Sequence, residues 1–171
     1  MNDEIVHIND KIKASISHCD VKSYDLADSV SIRGDEEITF PAIILQDGEC
    51  VNVYGETDKH DVTLYHRLND VSFQEESASS YGSGKGYSET ADMSLIVFGK
   101  RAAISPYEME LIARKAIADR SRCTLTGSSF NALQIFSSEY VGVTYFIPPD
   151  YFLFKINYKI TSTYNTRCNK N

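Results

Sequence analysis

The stretch that decides the fold is MSLIVFGKRAAISPYEMELIARKAI, residues 93–117, in which a compact apolar run precedes a helix with a well-marked start. The first seven residues predict a buried strand. Ser105 stands at a helix N-cap position, Pro106 suits the first helical position, and Glu108 follows the cap by three residues. Because this spacing forms a capping box, it predicts a helix that begins at Pro106 and ends before Gly127.

Two segments carry apolar residues at helical spacing, which predicts one buried face on each helix. In the central helix these residues are Met109, Ile112, Ala113, Ala116 and Ile117. In a second helix, predicted over residues 3–18, they are Ile5, Ile8, Ile12 and Ile16. Asn2 or Asp3 is expected to cap this N-terminal helix, since short polar side chains can satisfy its free N–H groups.

The closing strand, YFLFKINYKITST at residues 151–163, alternates between apolar and polar side chains. The apolar set is Phe152, Phe154, Ile156, Tyr158 and Ile160, and the polar set is Lys155, Asn157, Lys159 and Thr161. This alternation predicts an antiparallel sheet with one face on the core. The polar face is open to two interpretations, a solvated surface or part of an assembly surface.

Residues 38–56, ITFPAIILQDGECVNVYGE, predict two strands joined by a turn at Gln46-Asp47-Gly48-Glu49, since Asp-Gly between apolar runs favours a hairpin. Pro41 has no N–H to donate, so its strand is expected to be an edge or to begin there. Residues 17–37 predict an irregular segment with at most one short strand.

The stretch SSYGSGKGYS, residues 79–88, has the glycines and the lysine of a phosphate loop but lacks its spacing. Ser79 stands where the first glycine is required, and Gly86 replaces the hydroxyl residue that would hold magnesium. Preceded by the strand DVTLYHRLNDVSFQEE, the stretch instead predicts a loop from Glu76 to Thr90. We interpret it as the tip of a flexible, protruding hairpin arm at about residues 74–91 of a single domain, 1–171.

The charge of the chain is unevenly distributed. The net charge of the whole chain is −7. Residues 151–171 carry four basic side chains and no acidic one, so residues 1–150 have a net charge of −11. This acidic body argues against a general DNA-binding surface, which needs clustered Lys and Arg. No apolar run approaches 18 residues, and the acidic N-terminus lacks a signal-peptide pattern, so we expect no membrane segment and synthesis in the cytoplasm.

Sequence motifs for chemistry are lacking. The four cysteines form no C-x-x-C pair, so reduced thiols and no metal site are expected. The chain has no G-x-S-x-G and no H-E-x-x-H pattern. Its adjacent carboxylates fall in or beside loops, whereas catalytic pairs usually face each other across a cleft. We therefore expect no enzymatic activity, no catalytic residues and no cofactor.

The order of elements resembles that of the tail terminator and head–tail neck proteins of tailed bacteriophages. The matching features are TFPAIILQDG at residues 39–48, the strand-then-helix unit at 93–117, and the closing strand at 151–163. The resemblance implies an α+β fold, with a mostly antiparallel sheet, helices packed on one face and a protruding hairpin. It also implies a ring around the channel through which DNA leaves the capsid. The segment 17–37 is not part of that pattern.

The expected function is therefore that of a non-enzymatic virion subunit, which forms a homo-oligomeric ring in the neck or tail and is assembled in the host cytoplasm. Its expected partners are other neck, portal or tail proteins, with DNA passing through unbound. The candidate subunit-interface residues are Tyr81, Gly82, Gly84, Lys85, Gly86, Tyr87, Lys155, Lys159 and Arg167. The alternative is a small ligand-binding or regulatory module whose Gly/Ser loop is a mobile lid.

Overall fold

A computed structural model describes residues 1–33, 37–44, 48–53, 59–76, 86–131, 135 and 147–165. Its elements are α1 (Asn2–Ser15), β1 (Val21–Leu26), β2 (Asp28–Arg33), β3 (Glu37–Ile44), β4 (Cys50–Asn52), β5 (Val62–Glu76), β6 (Gly86–Lys100), α2 (Pro106–Ala118), β7 (Cys123–Ser129) and β8 (Tyr151–Asn165). The strands form a five-stranded sheet, in the order β1-β5-β6-β8-β7, and a three-stranded sheet, in the order β2-β3-β4. The predicted α+β fold is confirmed.

The two helices cover one face of the five-stranded sheet. The isoleucine stripe of α1 and the apolar stripe of α2 join the inward side chains of β5, β6 and β8 in one core. The five residues of the predicted apolar set of β8 are all buried. Since burial of one such side chain contributes about 1.5–3 kcal/mol, this core is the main attachment of the helices to the sheet.

The start of α2 agrees with the sequence, and the ends of α1 differ by a few residues. Ser105 Oγ accepts a hydrogen bond from the Glu108 backbone N–H at 3.2 Å. In α1 the N-cap is Met1, without a side-chain hydrogen bond, so the prediction of Asn2 or Asp3 as the cap is wrong. The helix ends at Ser15, and Ile16 stays buried as the C-cap residue.

The sheet is also buried on its second face, which the alternation in β8 did not predict. Tyr65, Ile96 and Leu153 point away from the helices and pack with Ala27, Val53 and Ile135. This second core explains why residues 95–98 are apolar without alternation, because a strand buried on both faces shows no period of two. Of the polar residues of β8 on that face, Lys155 and Asn157 are half-buried, whereas Lys159 and Thr161 are exposed. Asn157 accepts a hydrogen bond from Ser94.

The segment predicted to be irregular, 17–37, contains two strands. β1 pairs in parallel with β5, and β2 pairs antiparallel with β3. The prediction failed because tertiary pairing stabilises strands of mixed polar sequence that have weak local preferences. β3 is the middle strand of its sheet, so the edge prediction for Pro41 is wrong, although the ladder with β4 reaches only Ala42. Gly48 has φ +85°, the backbone conformation that an Asp-Gly turn favours, and Gln46 and Asp47 of the predicted turn lie outside the described residues.

The predicted loop from Glu76 to Thr90 is too long. Glu76 pairs with Gly86 at the end of the β5–β6 ladder, and Gly86 also pairs with Asn165 of β8. Residues 86–90, expected in a flexible arm, therefore form a strand between two partners. The strand is stabilised by its neighbours on both sides, which outweighs the low strand preference of glycine and serine.

Candidate assembly surface

Three strands extend past the helices and form a narrow three-stranded end of the sheet. β5, β6 and β8 each contain 15 residues, which corresponds to roughly 50 Å of extended chain. The helix-facing core ends at the paired residues Ala91 and Ile160. We call the part beyond this pair the distal arm, and it consists of residues 72–76, 86–90 and 161–165.

The distal arm carries exposed aromatic side chains on the face that continues the core. Tyr87 pairs directly with Tyr164, and Phe73 pairs with Glu89, two residues further along β6. Directly paired residues lie on the same face, and the alternation from Ala91 puts this face on the side of the helices. Phe73 is 70% exposed, Tyr87 37% and Tyr164 53%. We call these three residues the aromatic patch.

A β-bulge in β5 puts Phe73 in this patch. The register shifts between Leu68, which pairs with Met93, and Asp70, which pairs with Asp92. The extra residue changes which side chains face the helices from even to odd numbers. Next to the bulge, the Val71 backbone N–H donates a hydrogen bond to the Asp70 carboxylate at 2.9 Å. Phe73 would otherwise point to the opposite face.

The surroundings of the aromatic patch are acidic. The distal arm contains Glu75, Glu76 and Glu89 and no lysine or arginine. Glu75 and Glu89 alternate with the aromatic residues on the same face, because Glu75 pairs with Tyr87 and Glu89 with Phe73. The patch is therefore an apolar surface bordered by carboxylates, which favours a basic partner surface.

A second exposed apolar feature lies on α2. Tyr107 and Leu111 are 75% and 44% exposed, and Arg114 follows them on the same side of the helix. These residues form the α2 ridge. It points away from the sheet, because Met109, Ala113 and other residues of the opposite side fill the core. Arg114 contacts Glu110 one turn earlier at 3.4 Å.

The structure describes four of the nine candidate interface residues that the sequence analysis named. Gly86 and Tyr87 belong to β6, and Tyr87 lies on the same face of the sheet as Phe73 and Tyr164, which the sequence reasoning missed. Lys155 is half-buried in β8 on the face away from the helices. Lys159 forms an ion pair with Asp92 at 3.2 Å, and a little under half of each side chain is exposed. Tyr81, Gly82, Gly84, Lys85 and Arg167 lie outside the residues that the structure describes.

A buried polar chain connects α1 to the sheet. Asn9 Nδ2 donates to the Tyr24 carbonyl and to the Asp25 carboxylate, so Asn9 Oδ1 faces His66 Nε2, at 2.9 Å. His66 Nε2 therefore carries the proton, and Nδ1 accepts from the Tyr158 hydroxyl at 2.7 Å. Burial lowers the pKa of His66 to about 3, which keeps the ring neutral. These hydrogen bonds hold α1 in position on the sheet. The described clefts are not lined by Asn9, His66 or Tyr158.

The described cysteines that contact the core are poor nucleophiles. Burial raises the pKa of Cys123 to about 11 and also raises the pKa of Cys19. Thiolate is the reactive form, so both side chains are protonated at neutral pH. Near Cys123, the Arg120 guanidinium contacts the Glu4 carboxylate and holds the pKa of Glu4 below its usual range. This ion pair connects α1 to the segment after α2.

Two described clefts lie away from the distal arm. One, of about 310 Å³, lies between Lys11 of α1 and Lys115 of α2. The other, of about 250 Å³, is lined by Arg101, Phe130 and Tyr151 at the opposite end of β6 from Gly86. Fourteen strand steps separate those ends by roughly 46 Å.

No protein-family model matches the chain, and no curated protein matches it in sequence. Among the residues that the structure describes, no cluster of three or more His, Cys, Asp and Glu side chains could hold a metal ion. Neither α1 nor α2 is long and apolar enough to cross a membrane.

Proposed function

We propose that this chain is a non-enzymatic structural subunit that assembles with copies of itself into a ring, in the neck or tail of a bacteriophage particle. The observation that carries the proposal is the distal arm, whose aromatic patch lies beyond the reach of the helices that cover the rest of the same sheet face. The order of elements supports the viral setting, since it resembles the neck and tail-completion proteins.

The aromatic patch is suited to a protein interface. Phe and Tyr side chains contribute large apolar areas and are enriched at the buried centres of interfaces. Grouped exposed aromatics are uncommon on monomeric proteins and typically indicate an interaction surface. In the described residues nothing of the same chain covers Phe73, Tyr87 or Tyr164 sufficiently to bury them.

The charge of the chain fits a ring that DNA passes without binding. The net charge is −7, and the distal arm has no basic residue. Phosphates are repelled by such a surface over distances of about 8–10 Å at physiological salt, so DNA would not adhere to an acidic channel. Neighbouring neck, portal or tail proteins would then bind the ring through its outer surfaces.

The mass of the purified protein tests the proposal. Light scattering should give a multiple of 19.2 kDa, and negative-stain images of the same sample should show closed rings. Phe73→Asp should reduce the mass toward the monomer with an unchanged far-UV circular dichroism spectrum. Ile44→Asp, which changes an exposed apolar residue of β3 outside the patch, is the matched control and should leave the mass unchanged. A monomer at all protein concentrations would contradict self-assembly.

A further inference from the structure

We propose that the aromatic patch of one copy binds the α2 ridge of a second copy. This inference rests on the proposed self-assembly and specifies the two surfaces that meet. Both surfaces are exposed and apolar in the described part of the chain, the patch through Phe73 and Tyr164 and the ridge through Tyr107 and Leu111.

The two surfaces cannot meet within one chain. The patch lies on the sheet itself, on its helix-facing side and beyond Ala91. The ridge lies on the outer side of α2, which packs against β7 and β8 through Met109, Ala113 and Ile117. The helix therefore stands between its own ridge and the sheet, and only another copy can bring an arm to that ridge.

The charges of the two surfaces are complementary. Carboxylates of Glu75 and Glu89 flank the patch on its own face. The last turn of α2 and the residues after it carry Arg114, Lys115, Arg120 and Arg122 against Asp119. Of these, Arg120 is paired with Glu4 and Arg114 with Glu110 of its own helix. Arg114 belongs to the ridge itself, so it would lie close to Glu89 when an arm is bound. Such pairs select the partner and its orientation more than they add affinity.

The contact areas indicate why more than one contact per copy is needed. The exposed fractions of the three aromatic side chains amount to roughly 300 Å², given that each ring side chain can bury about 150–250 Å². A stable interface buries about 1,200–2,000 Å² in total. A single contact is therefore weak, whereas a closed assembly gives each copy two contacts, one through its patch and one through its ridge.

The contact is heterologous, since a patch meets a ridge and not another patch. Two copies of the patch would put Glu75 and Glu89 against the same carboxylates of the partner, which is unfavourable. Heterologous contacts repeat from copy to copy and form a ring when the rotation closes. This property agrees with the ring of the proposed function, but it is tested separately.

Two single variants and their mixture test the pairing. Phe73→Asp destroys the patch and keeps the ridge, and Leu111→Asp destroys the ridge and keeps the patch. Each variant alone should have the monomer mass of 19.2 kDa in light scattering. Their equimolar mixture should contain a dimer fraction that grows with protein concentration, and nothing larger, because one intact patch binds one intact ridge weakly and no further contact can follow.

A charge exchange tests the orientation. Glu89→Arg and Arg114→Glu should each reduce the assembled fraction at least tenfold, and the double variant Glu89→Arg/Arg114→Glu should restore most of it. Lys13→Glu reverses an exposed charge on α1 outside the ridge and should leave the assembly unchanged. If the double variant stays as weak as the single ones, the pairing of Glu89 with Arg114 is wrong.

The outcomes separate this inference from the proposed function. Wild-type rings that persist in Leu111→Asp would overturn the inference and leave the ring proposal standing. Loss of rings in Phe73→Asp but not in Leu111→Asp would show that the arm binds a different surface. A wild-type protein that stays monomeric overturns both. Circular dichroism of each variant must match the wild type, and a misfolded variant is replaced by Tyr164→Ser or Tyr107→Ser at the same surface.

Discussion

At the scale of the residue, the packing of Phe152 against the backbone of Gly99 determines which residue can occupy position 99. Gly99 of β6 pairs with Phe152 of β8, and the Phe152 ring lies over the position that a Cβ of Gly99 would occupy. The ring is buried and stacks against Phe154, with the centroids 6.0 Å apart. The aromatic ring thus covers the glycine backbone, and no other side chain fits there without moving it.

The variant Gly99→Ala should therefore destabilise the fold. We expect the free energy of unfolding to fall by about 1–3 kcal/mol, the usual cost of an overpacked core. Urea unfolding followed by circular dichroism measures it. The control is Gly127→Ala, since no atom lies within 4 Å of a Cβ added there. Equal effects of the two substitutions would mean that Phe152 adapts freely.

His66 is the second residue whose chemistry follows from its position. The ring is fully buried between the Tyr158 hydroxyl and the Asn9 amide, and its pKa is lowered to about 3 by burial. In the unfolded chain the same group has a pKa of about 6.5. The unfolded state thus binds more protons between these values, and the stabilising contribution is complete above pH 6.5.

The free energy of unfolding should consequently decrease as the pH falls from 6.5 toward 3. The loss attributable to His66 is at most about 5 kcal/mol over the whole window, at 1.36 kcal/mol per pKa unit. Urea unfolding at pH 7.0, 6.0 and 5.0 measures the first part of it, before most carboxylates titrate. His66→Gln should remove this slope between pH 7 and 5, whatever its effect on the stability itself. An identical slope in the variant would contradict the assignment.

At the scale of the element, the distal arm is a three-stranded ladder and not a flexible hairpin. β6 pairs with β5 as far as Glu76 and with β8 as far as Asn165, so the central strand is held on both sides along its whole length. Residues 77–85 lie outside the described part, and they leave and return at the directly opposite pair of Glu76 and Gly86. A two-residue turn can join such a pair.

Replacement of residues 77–85 by Asn-Gly should therefore leave the fold intact. We expect a change of the melting temperature of less than about 3 °C, since no described core residue is removed and shortening a loop costs little. If these nine residues contact neighbouring subunits, the light-scattering mass falls as well. The control is a deletion of 77–88, which also removes Gly86, Tyr87 and Ser88 from β6 and should unfold the arm. Equal melting temperatures of both deletions would contradict the ladder.

At the scale of the whole molecule, the described residues divide into a part with two cores, which we call the base, and the distal arm, whose aromatic patch is exposed. The helix-side core and the second core bury both faces of the base, with Ile96 and Val97 of β6 as neighbours on opposite sides. In the arm the same strands continue, and none of the described residues buries the three aromatic side chains on the helix side. If the aromatic patch binds a second copy, as we propose, the stability of the protein depends on its concentration.

The melting temperature should therefore rise with protein concentration. One tenfold increase contributes about 1.4 kcal/mol for each association step, or roughly 3–5 °C for a chain of this length. Differential scanning calorimetry at 0.1 and 1 mg/mL measures the shift. Phe73→Asp should melt at the same temperature at both concentrations. A concentration-independent wild type would argue against assembly.

The sequence alone predicted those features that depend only on residues near each other in the chain. The start of α2 follows from the spacing of Ser105, Pro106 and Glu108, because an N-cap involves only neighbouring backbone groups. The inward face of β8 follows from its period of two. The limits of the long hairpin, and the strands β1 and β2, did not follow, since their hydrogen-bond partners lie on strands distant in the sequence.

What the sequence by itself determined is the fold class, the α2 cap, the helix stripes and the buried face of β8. Only the tertiary structure decided the aromatic patch, in which Phe73, Tyr87 and Tyr164 come from three strands. Their meeting depends on register and on the bulge after Leu68, which moves Phe73 to the helix side. A register is a property of two paired strands and of the cores that fix them, so no single stretch of sequence can encode it.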